Sequence, residues 1–221
     1  MYKALFLSTV LVISALVTLN AQPRYFTGTI TYKITYPANA SSPLIASLPA
    51  TIDMQVSANK ARFELTLPNG KQTFIVNGDD LSVTRLMDLA QGKFYIKKTK
   101  EDFQKDETPI TVPLKETKLI AGYKCKAAEI NSTDRGGKAL KSKAFYSDEL
   151  GHNNIYFNTI AKGIKGILLD FDYSGLGTPM HLTATEVSAG RISNKIFEIP
   201  SDYKQTTEAQ LQQLRQVNKS K

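Results

Sequence analysis

The chain reads as a mainly β protein: a curled antiparallel sheet or half-barrel, with few short helices and a helix at its C-terminus. Three observations predict this. Apolar and polar residues alternate at period two through most of residues 27–98, which places successive side chains on opposite faces of a strand. Turn signals interrupt these runs at short spacing, Asn69-Gly70 and Asn77-Gly78 foremost, because both residue types tolerate positive φ. The clearest helical spacing falls at the end, in "TTEAQLQQLRQV".

The elements follow in order. "MYKALFLSTVLVISALVTLNAQ" pairs a positive Lys3 with an apolar run that is shorter than the ~20 residues a membrane span needs. It reads as a signal peptide over residues 1–21, with cleavage near Ala21. Residues 22–204 then form a single antiparallel β domain, and residues 205–221 a C-terminal helix and tail. In "TGTITYKITY" Ile30, Tyr32 and Ile34 share one face. "TIDMQVS" and "KARFELTL" repeat the pattern around Met54 and Phe63, and "QTFIV" adds Phe74. With "LSVTRLMDL" and "KFYIKK", residues 25–98 form a meander of about six strands. Residues 100–117, with Pro109 and Pro113, read as a loop or a poor edge strand. Two hairpins follow, one turning at residues 133–137 and one at "GLGT", then a last short strand through Ile196 and Phe197. Thr206 or Thr207 caps the final helix, and Leu211, Leu214 and Val217 fall on one side of it.

The chain carries a net charge of +8 with scattered lysines, and removing residues 1–21 takes away only Lys3. It contains one cysteine, Cys125, in "LIAGYKCKAAEI". An exported chain meets oxidising conditions, so an unpaired thiol needs a reason. Lys124 and Lys126 take one parity of this strand and Tyr123, Cys125 and Ala127 the other, so Cys125 faces inward as a small buried hydrophobe. Pairing the strand with residues 138–147 predicts Cys125 opposite Ala144 and Lys126 opposite Lys143. Lys124, Lys126, Lys141 and Lys143 would then share one basic face, and such a face implies an anionic membrane surface or an envelope protein as neighbour.

No pattern of catalysis emerges. His152 and His181 are the only histidines, and neither HExxH nor paired CxxC spacing is present, so no metal, cofactor or catalytic residue is assigned. Asp170 and Asp172 share a strand face that alternation turns to solvent. Nucleic acid is a poor partner, since basic and aromatic residues do not interleave as in a recognised module.

"FTGTITYKITY", "LIAGYKCKAAEI", "GILLDFDY" and "FEIPSDYKQTTEAQLQQL" together resemble an uncharacterised family of exported bacterial proteins of Bacteroidetes type. Gly122-Tyr123-Lys124-Cys125-Lys126 and Ile199-Pro200-Ser201-Asp202-Tyr203-Lys204 carry the resemblance best. That group is similar in shape to the lipoprotein carriers LolA and LolB, antiparallel half-barrels whose concave face shelters lipid chains. The resemblance implies a periplasmic or outer-membrane-associated protein with a lipid-sized cavity. With no Cys near the cleavage site, the chain is not itself a lipoprotein.

The expected function is therefore non-enzymatic binding of a lipid or other apolar ligand in the concave face. Ile30, Tyr32, Ile34, Met54, Phe63, Phe74 and Tyr123 are the expected lining. Leu44, Ile45, Ile155 and Phe157, apolar residues in irregular segments, are the expected gate. The alternative is an envelope structural or interaction module whose interior is filled by its own side chains. An open cleft of roughly 300–1,000 Å³ separates the first from the second.

Overall fold

The computed structural model describes residues 25–37, 47–68, 70–103, 109–133, 137–151, 153–174 and 179–217. The strands are β1 (Thr27–Thr35), β2 (Thr51–Ser57), β3 (Lys60–Leu67), β4 (Gly70–Asn77), β5 (Ser82–Leu89), β6 (Gly92–Lys98), β7 (Ile110–Ile120), β8 (Tyr123–Thr133), β9 (Ala139–Ser147), β10 (Ile167–Tyr173), β11 (Met180–Ala189) and β12 (Lys204–Gln205). One helix, α1 (Glu208–Val217), follows. All twelve strands belong to one sheet in the order β12-β6-β5-β4-β3-β2-β1-β11-β10-β9-β8-β7. Two meanders, β1 to β6 and β7 to β11, are thus joined where β1 pairs with β11. The sheet is not closed, and it is mainly this curled β architecture that the alternation predicts.

The six strands expected between residues 25 and 98 all form, their ladders run without interruption, and from β2 onward short turns set each register. The segment read as a loop or poor edge strand holds most of β7, which runs on to Ile120, stands at the sheet edge and accommodates Pro113 there. Between β7 and β8 the chain reverses over Ala121 and Gly122, both at positive φ (48° and 85°), a turn that glycine eases.

Three register shifts bend the sheet, at Thr31/Tyr32, Leu168/Asp170 and Pro113/Thr117. The bends bring β7 back toward β11. A single apolar cluster spans both meanders, from Ile30, Val56 and Leu65 to Ala128, Leu168 and Leu182.

The expected strand through Ile196 and Phe197 is instead a 3-10 turn, Asn194–Phe197, whose Ser193 side chain accepts from the Lys195 amide. The reason is direction. After β11 the chain must cross the outer face to reach β6, so it runs across the strands, and Arg62 donates to the Ile196 carbonyl at 2.8 Å on the way. Arg62 has the parity of Ile75 and Leu86, which are buried on that face (5% and 2% exposed). Beyond β12, Thr207 and Gln210 form a reciprocal cap: the Gln210 amide donates to Thr207 Oγ1 at 3.2 Å and the Thr207 amide to Gln210 Oε1 at 3.0 Å. Leu211 of α1 packs on Met87 and Ile96, at the far end of the concave face.

Candidate functional site

The concave face holds a cavity of about 130 Å³. Its wall is largely aromatic because alternation delivers Tyr32, Phe63 and Phe74 to one face of neighbouring strands. Phe63 and Phe74 stack at 4.9 Å between ring centres, Tyr173 meets Phe63 edge-on at 6.5 Å, and Phe171 meets Tyr32 edge-on at 5.8 Å. Met54 and Val83 complete one side, and Ile130, Ala144 and Leu168 the other.

The segment after β9 covers the cavity, contributing Ile155, Tyr156, Asn158, Thr159, Ile160 and Ala161. Its short 3-10 turn, Asn154–Tyr156, is fastened to the first meander by its first residue and by Asn153 just before it. Asn153 donates to the carbonyls of Ala58 and Phe26. Asn154 donates its amide to Asn59 Oδ1 at 3.0 Å and its side chain to the Gly78 carbonyl at 2.9 Å. Gly78 is required here: a Cβ at that position would lie 2.1 Å from the Asn154 carbonyl oxygen.

Two tyrosine hydroxyls complete the cover's attachment. The Leu168 amide donates to Tyr156 Oη at 3.0 Å, and Tyr32 donates to the Leu168 carbonyl at 2.7 Å. The β10–β11 ladder begins only at Asp170, so these hydroxyls serve the Leu168 backbone where β11 does not. Burial pushes the hydroxyls of Tyr32 and Tyr156 well above the ordinary tyrosine range, the neighbouring Tyr156 adding to Tyr32, and raises that of Tyr173, so all three are neutral near pH 7.

The expected lining is brought together in part. Tyr32, Met54, Phe63 and Phe74 line the cavity. Ile30 and Ile34 are spent in the packed core (0% and 5% exposed). Tyr123 does not line it: it shares the parity of Cys125 on the other face of β8 and pairs with Ile120 at the end of the β7–β8 hairpin. Of the expected gate, Ile155 is in place, while Phe157 turns away to meet Phe103 edge-on at 5.7 Å. Leu44 and Ile45 lie outside the described residues, as do residues 1–21.

The basic face is corrected. The β8–β9 register differs from the expected one by three residues, pairing Lys126 with Tyr146, Ala128 with Ala144 and Glu129 with Lys143. An odd shift exchanges faces, so Lys141 and Lys143 stand opposite in face to Lys124 and Lys126. Three of the four are also neutralised: Lys126 pairs with Asp148, Lys141 with Glu129 at 3.1 Å and Lys143 with Glu116 at 2.6 Å. The Asp148 carboxyl is held below its ordinary range chiefly by Lys126, and that of Glu129 chiefly by Lys141.

Cys125 is fully buried, as expected, but on the face of Phe145 and Ala127, opposite the cavity. Burial pushes its thiol up to about 11, Glu149 adding to the effect. Beside it lies a polar cluster that alternation alone did not reveal. Asp170, expected in solvent, is buried because the β9–β10 bulge and the returning β7 enclose it. It binds Lys118 at 2.7 Å and His181 Nε2 at 2.9 Å, while His181 Nδ1 meets Asp172 at 2.8 Å. With both ring nitrogens engaged, His181 ties β10 to β11, and Lys118 ties β7 to β10. Cross-strand acid and histidine across the β10–β11 hairpin was the signal available for half of this cluster. Lys118 has none, because its partner is three strands away. Among the described residues, no group of three or more His, Cys, Asp or Glu is arranged to hold a metal ion, and no helix is long and apolar enough to cross a membrane.

No protein-family model matches the chain, and no curated protein matches it in sequence.

Proposed function

We propose that this is a non-enzymatic, exported binding protein that holds a small apolar ligand, or one end of a longer lipid, in the concave face of its sheet. The observation that carries the reading is the cavity itself: an almost wholly apolar chamber walled by Tyr32, Phe63, Phe74 and Phe171 and roofed by a segment outside the sheet. Small apolar molecules bind in such concave sites. The roof provides a route of entry, because it is fastened by hydrogen bonds at Asn153, Asn154 and Tyr156 and not by strand pairing. Export is proposed from residues 1–21, and periplasmic or outer-membrane-associated residence from the resemblance. The paired lysines remove the reason for proposing an anionic surface as partner.

The volume limits the occupant. About 130 Å³ falls short of the ~300–1,000 Å³ of sites that enclose drug-sized ligands. A whole lipid does not fit with the roof in this position, which favours a small molecule or a single chain end. The same number supports the alternative, an interaction module with a nearly filled interior. Native mass spectrometry of the full chain purified from its own host decides between them. A co-purified apolar molecule, lost in Ile155→Ser, supports binding. A bare protein that also takes up no neutral fluorescent probe such as N-phenyl-1-naphthylamine supports the filled module.

A further inference from the structure

The wall of the cavity limits the occupant further than its volume does. Among the described residues six aromatic side chains line it: Tyr32, Phe63, Phe74, Tyr156, Phe171 and Tyr173. Tyr32 gives its hydroxyl proton to the Leu168 carbonyl and Tyr156 accepts from the Leu168 amide, so both hydroxyls are turned to the β10 backbone. The rings already pack as aromatic rings prefer to. Phe63 stacks on Phe74 at 4.9 Å and meets Tyr173 edge-on at 6.5 Å, and Phe171 meets Tyr32 edge-on at 5.8 Å. A further ring joining such a cluster gains ring–ring contacts beyond the area it buries, whereas an aliphatic body of equal size gains area alone. A rigid ring also enters with no torsions to freeze, while a chain end of the same volume loses them. Size agrees with this. A dry apolar cavity of ~150 Å³ holds a benzene, and this one measures about 130 Å³. Two fused rings exceed it and have to lift the roof.

We propose that, with the roof seated, the cavity takes one unfused aromatic ring in preference to an aliphatic body of the same size. This rests on the cleft being a binding site. It narrows the occupant from small apolar molecules in general to monocyclic aromatic ones.

The test uses the full chain and amide chemical-shift titrations with benzene, cyclohexane and naphthalene. Hydrogen exchange at the Leu168 amide, which Tyr156 accepts, reads the position of the roof. Cyclohexane is the more water-averse of the two single rings, so a wall that counts area alone ranks it first. Benzene instead binds about three- to tenfold more tightly than cyclohexane and leaves Leu168 exchange no faster. Naphthalene binds only with Leu168 exchange quickened, or not at all. In Phe63→Leu and in Phe74→Leu the preference for benzene falls toward parity while cyclohexane still binds. The wild-type comparison needs no variant, so it stands even if either substitution prevents folding. Cyclohexane binding as tightly as benzene or more so, or an unchanged preference in both variants, overturns the ring assignment and leaves the cleft standing. Naphthalene binding as tightly as benzene with Leu168 exchange unchanged overturns the size limit. Binding of none of the three, nor of N-phenyl-1-naphthylamine, overturns the cleft along with the proposal.

Discussion

The ladders from β2 to β6 run without a register shift, whereas the strands from β7 to β11 carry two and share a third with β1. From β2 to β6 the first meander is built from hairpins with two-to-four-residue turns, so each of these strands' register follows from the one before it. The second bends at its bulges until β7 comes back near β11, and its outer face closes over Cys125, Phe145 and Asp170. The two regions therefore bury side chains differently. Both bury side chains on two faces, but the first buries the uncharged Ile75 and Leu86 on its outer face, which the chain after β11 crosses, whereas the second spends charged residues, Lys118, Asp170 and His181, to hold its curl. A regular meander makes a wall; a bulged one makes a bend, and the cavity lies where the wall meets the bend.

The largest expected effect tests whether the two regions share one core. Leu65→Ala in the first and Leu169→Ala in the second each remove a fully buried leucine and should cost ~2–5 kcal/mol. Because one apolar cluster spans both, denaturant unfolding of each variant, followed by far-ultraviolet circular dichroism and tyrosine fluorescence, should remain a single transition. Two separated transitions would break the comparison into two folding units.

Next comes the fastening of the roof to the first meander. Gly78→Ala forces a Cβ against the Asn154 carbonyl and should destabilise by ~1–3 kcal/mol. Hydrogen exchange should quicken at the Leu168 amide, which the roof residue Tyr156 accepts. Loss of stability with Leu168 exchange unchanged would show that the roof does not depend on this turn.

Cys125 probes the doubly buried second region. Its thiol should resist a thiol reagent in the native state and react after denaturation. Its folded-state pKa is raised from 9.0 to about 11, so the folded protein holds this proton more tightly than the unfolded chain. The associated stability is complete below about pH 9 and is lost as pH rises toward about 11. Buried Tyr32 and Tyr156 act in the same direction, so the informative quantity is the difference from Cys125→Ala. That variant should cost ~1 kcal/mol near neutrality and lose stability less steeply with rising pH. Rapid native labelling, or parallel pH profiles, would contradict a sealed outer face.

The smallest effect sharpens the register of β8 and β9. Lys126→Glu would face Asp148, and Lys143→Glu would face Glu116 and Glu129. Each reversal should lower the denaturant midpoint only slightly, and the two small effects should add because the lysines lie on opposite faces. If the double reversal were less destabilising than either single one, the lysines would share a face after all.

The difference between the regions also explains what was legible. In β1 to β4, alternation placed Tyr32, Met54, Phe63 and Phe74 on one face, and the turn signal at Asn69-Gly70 put Phe63 and Phe74 on adjacent strands. Ile155 was recognisable as an apolar residue in an irregular segment that an open face would recruit. The lysine arrangement, Tyr123 and Asp170 were not legible. Their positions depend on a three-residue offset in one hairpin and on two bulges, and a bulge leaves no fixed mark in the alternation because either face can absorb the extra residue. The turn at Ala121-Gly122, which ends β7 and starts β8, lacks the Asn or Asp that usually announces a positive-φ reversal.

By itself, then, the sequence determined the β class, the strand positions of the first meander, the apolar face and the capped terminal helix. These depend on local periodicity and on side-chain chemistry within a few residues of each element. Only the tertiary structure decided that β1 pairs with β11, that the chain after β11 crosses the outer face to a parallel β12, and that Lys118 reaches Asp170. It also decided that the cavity closes to about 130 Å³ beneath Ile155 and Tyr156. Those contacts join residues more than fifty positions apart, and they are chosen by which arrangement buries both meanders at once, a choice no local stretch of the chain encodes.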